Sequence, residues 1–242
     1  MIGIFDSGIG GVTVLKEIIK LLPNEKYIYY SDSSNAPYGD KTEDELKIIT
    51  SNVISFLIDR GCKLIVIACN TASTLSDYLR KKFDITIIAI EPAYKMVYDY
   101  AYDKKTLVMA TKRTLESSKF KKLYDKYNNH NTILLPCSGL ADLIEEGNNE
   151  KIDYYLKEKI GKYKDIDCVV LGCTHYPLIK DNISNILGDV KFFDGGNGVS
   201  KMVFEKVKDS ISLDCSNFHI EFIDSSNNYK NKERFFLILN KE

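Results

Sequence analysis

Two cysteines, Cys69 and Cys173, stand in the same local setting. Leu64-Ile-Val-Ile-Ala-Cys69-Asn-Thr reads against Cys168-Val-Val-Leu-Gly-Cys173-Thr-His as an apolar run, a small residue, a cysteine, then polar residues. A cysteine where a strand gives way to a helix meets unpaired backbone N–H groups and the positive end of the helix dipole, and both favour the thiolate. A thiolate is a base and its thiol is an acid, so the pair could move protons. The competing reading is a small core hydrophobe, the ordinary fate of a free cysteine; Cys62, Cys168 and Cys215 are given that reading.

The neighbours separate Cys69 and Cys173 from the other thiols. Cys69 is followed by Asn70, Thr71, Ala72 and Ser73, and Cys173 by Thr174, His175, Tyr176 and Pro177. Asn70, Thr71 and Thr174 are good N-cap types, so singly each has a structural reading as strong as a functional one. His175, two residues after a cysteine, is placed to tune that thiol or to cap the next turn. Asp6 ends an apolar run and precedes Ser7-Gly-Ile-Gly-Gly11, where glycines let a ligand approach the backbone. Neither the dinucleotide fingerprint nor the Walker pattern is present, so these small groups suit a carboxylate or an α-amino acid better than a nucleotide. Cys69, Cys173, His175 and Asp6 lack the spacing of a metal site, and the two thiols are far from a CxxC redox pair. His130 and His219 sit among polar residues and read as surface.

The elements that must position these groups follow from periodicity. Strand-like runs are Ile2 to Phe5, Tyr27 to Tyr30, Leu64 to Ala68, Ile85 to Ile90, Thr106 to Met109, Ile133 to Leu135, Cys168 to Leu171 and Val190 to Phe193. Several are apolar on both faces, as buried parallel strands are. Between them Leu15, Ile18, Ile19 and Leu22 keep a helical period, and Thr42 with Glu45 forms a capping box ahead of Leu46, Ile49 and Val53. Alternating strands and helices predict an α/β fold with mainly parallel sheets, which bind ligands at the carboxyl ends of their strands. A second echo pairs Ile4-Phe-Asp6-Ser-Gly8 with Phe192-Phe-Asp194-Gly-Gly196, and together the echoes predict two similar halves facing each other.

Composition narrows the partners. A formal net charge of -1 and a pI near 6.3 give no global attraction to nucleic acid or anionic lipid. The opening MIGIFDSG has no basic segment ahead of an apolar stretch, and no run reaches membrane-spanning length, so a cytoplasmic enzyme with reduced thiols is expected.

FDSGIGG at 5–11, APYG at 36–39, ACNTAS at 68–73 and LGCTHYPL at 171–178, in that order, resemble the glutamate racemases, with a likeness running from Ile2 to about Ser200. The resemblance implies two α/β domains related by a pseudo-twofold, 1–93 completed by 205–242 and 94–204, with the active site in the cleft between them. It implies a cofactor-independent reaction in which one thiolate removes the α-proton of glutamate and the other thiol returns a proton to the opposite face. Cys69 would act with Asp6, and Cys173 with His175 and Glu145. Substrate contacts would fall on Asp6, Ser7, Tyr38, Gly39, Asn70, Thr71, Thr114, Thr174 and His175. The D-glutamate formed would supply peptidoglycan synthesis. The implied partner is a small-molecule substrate, with no metal, nucleic acid or membrane, and a homodimer is the default assembly.

Four features depart from that pattern. Asn35 stands where arginine is common, Arg113 where a glycine usually precedes Thr114, Phe120 where tyrosine is frequent, and FDGGNGVSK replaces the usual aspartate and small-residue run. None touches the thiols, so their weight falls on substrate preference. Aspartate-acting relatives resemble GCTE rather than GCTH after the second cysteine, and His175 therefore favours glutamate. A racemase of another amino acid, or a non-catalytic protein binding an acidic amino acid, are the alternatives.

Overall fold

The computed structural model describes residues 1–211, 216 and 218–241; Cys215, read as a core thiol, lies outside the described residues. The chain forms two compact units, Met1–Ile90 with Gly196–Glu242, and Glu91–Gly195. Among the described residues nine strands run in chain order: β1 (Ile2–Asp6), β2 (Lys26–Ser31), β3 (Leu64–Ile67), β4 (Thr86–Ala89), β5 (Thr106–Ala110), β6 (Thr132–Pro136), β7 (Cys168–Gly172), β8 (Lys191–Phe193) and β9 (His219–Asp224). In the first unit they form one sheet of order β4-β3-β1-β2-β9, and in the second a sheet of order β6-β5-β7-β8. Every strand pairing among the described residues is parallel. The α/β fold read from the alternation of strands and helices is therefore the observed one, and all eight expected runs are strands.

Burial on both faces explains the continuous apolar runs. In the first unit Ile2 and Ile4 point to one face with Val12, Leu15 and Ile18, while Phe5, Ile65 and Ile67 point to the other with Leu46, Ile54 and Leu57. The helix Val12–Leu21 covers the former face and Glu43–Asp59 the latter. The second begins with the expected box: the Thr42 hydroxyl accepts from the Glu45 amide at 3.3 Å, and the Glu45 carboxylate accepts from the Thr42 amide at 2.7 Å. In the second unit Leu107, Met109, Val169 and Leu171 face helices Leu140–Glu146 and Asn149–Ile160. Val108, Ala110 and Val170 face Tyr94–Tyr100 and Ser118–Tyr127. Among the described residues no helix is long and apolar enough to cross a membrane.

The two sheets share one topology. Matching β1, β2, β3 and β4 to β5, β6, β7 and β8 makes β2-β1-β3-β4 and β6-β5-β7-β8 the same order. The repeat around Cys69 and Cys173 is thus structural, because both follow the third strand of the shared order. The second echo is not: Asp6 ends β1, whose counterpart is β5, whereas Asp194 follows β8, whose counterpart is β4. A strand ending in aspartate before small residues is a common enough turn signal to arise twice without kinship.

Strand β9 escaped the periodicity because it lies at a sheet edge and only Asp224 in it is buried. It pairs with β2 from Lys26↔His219 to Ser31↔Asp224. Aromatic packing holds it there, with Phe222 stacked on Tyr29 at 5.8 Å and Phe235, from the helix Tyr229–Asn240, 4.6 Å from both rings. Phe235 is fully buried. Phe235→Ala is expected to cost about 3–5 kcal/mol of unfolding free energy, measured by denaturant titration at constant m-value.

Candidate functional site

The loops after β1 and β3 diverge, because β1 continues toward β2 on one side and β3 toward β4 on the other. That divergence opens a crevice at the carboxyl ends of adjacent parallel strands, the usual ligand position in such sheets. Asp6, Ser7 and Cys69 are there. The Cys69 thiol donates to the Ser7 hydroxyl at 3.6 Å. Asp6 is fully buried, and its carboxylate accepts from the Gly11 amide at 2.7 Å. Gly11 must be glycine for this closure, since a Cβ would lie 2.8 Å from Asp6 Cβ and 2.9 Å from Ala68 Cβ. Tyr29 steadies the same loop by donating to the Gly8 carbonyl at 2.9 Å.

Tyr38 and Gly39 occupy a short 3-10 turn, Tyr38–Asp40, and Tyr38 packs in the same buried cluster as Cys69 and Ala72. Its hydroxyl donates to Asp32 Oδ2 at 2.5 Å, and Asn35 Nδ2 donates to both Asp32 oxygens at 3.1 Å. Asn35 therefore serves the carboxylate that holds Tyr38. Burial, then the charge and hydrogen bond of Asp32, then the charges of Cys69 and Asp6, push the phenol well above its ordinary range. Tyr38 accordingly stays neutral, a donor close to Asp6 and Cys69.

The helix after Cys69 is a single turn, Asn70–Ser73, and Cys173 leads into a 3-10 turn, Tyr176–Ile179, rather than directly into a helix. A helical turn thus follows each cysteine, as read, but each is short, so few aligned peptides contribute a dipole and neighbouring side chains carry more of the tuning. The cap reading also changes. Cys69 itself holds the N-cap position, while Asn70 lies inside the turn with Nδ2 and Oδ1 both buried and without a partner. An unpaired buried amide costs about 1–3 kcal/mol, a cost removed if a polar ligand completes it. Thr71 lies beside it, also buried.

The second unit repeats the arrangement with different chemistry. Loops after β5 and β7 diverge, and Gly172, opposite Ala110 in the register, allows the strand ends to approach: a Cβ there would meet Ala110 Cβ at 2.7 Å. Thr111 caps the helix Lys112–Glu116, accepting from the Thr114 amide at 3.2 Å and donating to the Thr114 hydroxyl at 2.9 Å. After β7, Cys173 Sγ lies 3.6 Å from His175 Nδ1, and His175 Nε2 lies 2.6 Å from Glu145 Oε1. Glu145 comes from the helix Leu140–Glu146. Burial works against a charged imidazole, but the bonds to Cys173 and Glu145 outweigh it and raise the His175 pKa well above the usual value. His175 is then an imidazolium that can donate toward sulfur while Glu145 balances its charge. Thr174 is buried next to it.

The remaining thiols divide cleanly. Cys62 and Cys168 are buried in the cores, as read, and burial pushes Cys62 up to about 11. Cys137, which the sequence reading left unassigned, follows β6 and is pushed up to about 12 by burial and then by the charge of Cys173. His130 and His219 are exposed, as expected. Phe120 packs with Tyr94 and Tyr124, so its departure from tyrosine concerns the core. Arg113 Nε is buried without a partner. Among the described residues no group of three or more His, Cys, Asp or Glu could hold a metal ion. The sequence reading missed Asp32 and Thr111; Thr111 was open to the N-cap rule, and Asp32 was visible only as one acid in a polar loop.

Comparison with known proteins adds the family. Residues 2–198 match the model of the Asp/Glu/hydantoin racemases. A glutamate racemase of Clostridium perfringens is 46% identical over 217 residues, 86% of this chain and 84% of that protein. The crystal structure of glutamate racemase from Francisella tularensis in complex with D-glutamate aligns with a TM-score of 0.83 at 32% identity, covering 100% of this chain and 94% of that one. That of Campylobacter jejuni aligns with a TM-score of 0.85 at 28% identity, covering 99% and 98%.

The Cys173 cluster has a direct electrostatic test. His175 is expected to keep its proton well above the pH at which an exposed imidazole loses it. Because Glu145 raises that pKa, Glu145→Gln should lower it. Nitrogen-15 NMR of the His175 ring across a pH series reads both outcomes.

Proposed function

The chain belongs to the Asp/Glu/hydantoin racemase family and is an amino-acid racemase, and from that premise we propose that it interconverts L- and D-glutamate by two-base cysteine chemistry. The observation that carries the mechanism is the buried thiol at the same topological position in each unit, after β3 and after β7. Inverting a carbon centre needs a base on one face and an acid on the other, and two like groups can exchange those roles when the direction reverses. The glutamate racemases among its relatives support the choice of substrate.

In this reading one cysteine, as thiolate, takes the α-proton while the other, as thiol, donates to the opposite face. The Cys69 thiol donates to Ser7, and Asp6, buried at the end of β1, would accept its proton and return it. His175, held by Glu145, lies within reach of Cys173 Sγ and can exchange a proton with it. The carbanion formed in between needs donors fixed where its charge develops. Asn70, Thr71 and Tyr38 with Gly39 supply these in the first unit, and Thr114 and Thr174 in the second. The unpaired amide of Asn70 is suited to a substrate carboxylate or ammonium, because it can donate and accept. We extend the reading to a cytoplasmic homodimer that supplies D-glutamate for peptidoglycan, as the resemblance to glutamate racemases implies.

Incubation with L-glutamate in D₂O without added cofactor, followed by proton NMR and polarimetry, should show loss of optical activity and deuterium at the α-carbon. No exchange with either enantiomer overturns the reading, and exchange of aspartate instead moves the substrate. Cys69→Ser and Cys173→Ser should each reduce racemisation by about 10²- to 10⁴-fold, and should differ in which enantiomer still exchanges. Full activity in either variant contradicts the two-base assignment.

A further inference from the structure

The stretch matched to the family model ends at residue 198, yet the first unit is completed by residues beyond it. The end of β9 is bonded to the loop that precedes Tyr38. Asp224, largely buried, accepts from the Ser33 hydroxyl at 2.9 Å on Oδ1 and 2.8 Å on Oδ2. Its Oδ1 also accepts from the Ser226 hydroxyl at 2.5 Å and from the Ser226 and Asn228 amides at 3.0 and 3.2 Å. Its Oδ2 accepts from Asn231 Nδ2 at 2.9 Å. Ser225 adds a second tie: its hydroxyl accepts from the Ser34 amide at 2.9 Å, and its amide donates to the Ser31 carbonyl at 2.9 Å.

The tied loop leads directly to the Cys69 cluster. Asp32 sits between Ser31 and Ser33, its amide donating to the Asp6 carbonyl at 2.9 Å and its carboxylate receiving the Tyr38 hydroxyl. Asp32, Asp6 and Tyr38 are all buried, so displacement of the loop cannot be absorbed by solvent without moving them. Burial opposes the charge of Asp224, but the bonds from Ser226, Asn231 and Ser33 outweigh it and keep its pKa below the ordinary carboxylate range. An ionised acceptor makes each of these bonds stronger than a neutral one would.

We propose that Asp224 is a positioning residue for the Cys69 cluster, fixing the 31–35 loop and through Asp32 the place of Tyr38 and Gly39. Asp224 touches none of the reacting groups. Its carboxylate converts the end of an edge strand into an anchor for a loop that contains its own acid, Asp32. The effect on the reaction rests on the proposed glutamate chemistry, while the effect on Cys69 does not.

Peptide-resolved alkylation by iodoacetamide separates the two. In Asp224→Asn, where one oxygen becomes a donor facing donors, Cys69 should label about tenfold faster, the factor expected for a lost charge-assisted bond. Cys173, in the other unit, serves as the internal reference and should keep its rate. Ser33→Ala, which leaves the carboxylate and its other bonds in place, should show the same selectivity to a smaller degree. With glutamate as substrate, both variants should lower kcat, and kcat/KM with it, because Cys69 and the donors Tyr38 and Gly39 act as charge develops. Equal acceleration at both thiols, no acceleration at Cys69, or an unchanged kcat in an active enzyme would each overturn the proposal. If the unmodified protein does not racemise glutamate, the substrate reading fails, and the selectivity of labelling alone decides the role of Asp224.

Discussion

The requirement that parallel strands be joined by crossovers organises this protein. Each crossover brings the chain back to the same edge, so every strand in a sheet ends on one side. Where successive crossovers leave in opposite directions, the neighbouring loops part. Here that occurs between β1 and β3 and between β5 and β7. Both cysteines singled out for chemistry lie at these divisions. Their burial follows from the strands that deliver them, while access to a ligand follows from the loops that separate.

The surroundings of the two thiols show different solutions to one electrostatic problem. A thiolate in a nearly dry setting needs either a counter-charge or well-placed donors. The Cys173 cluster has His175 and, behind it, Glu145, so proton and charge can be shared along a short line. The Cys69 cluster has Ser7, a neutral Tyr38 and a buried Asp6 whose carboxylate is bonded to a loop amide. Neither depends on a long helix dipole, because both cysteines lead into single turns. Similar backbones thus carry dissimilar assisting groups.

Much of this arrangement was legible from residues alone where a local rule had no strong competitor. Apolar runs with two buried faces became β1 to β8, and Thr42 with Glu45 became a capping box. The repeated cysteine motif became a repeated strand end. Strand β9 was hidden because edge position exposes most of its residues, leaving no continuous apolar run. The Asp6 and Asp194 echo misled because a turn signal records local backbone geometry and not position in a sheet. Asn70 stayed open between a cap and a contact because its residue type suits both, and the chain placed it within the turn.

By itself the sequence determined the alternation of elements, the two buried cysteines at strand ends and the family whose motifs they carry. These are properties of short windows, in which periodicity and residue type act within a few positions. Only the tertiary structure decided that β9 pairs with β2 and that Asp224 grips Ser33, and it set the geometry in which Glu145, implied by the family resemblance, meets His175. Such contacts join residues far apart along the chain. Their energies depend on burial and on angles of approach that packing sets, and no local pattern encodes them.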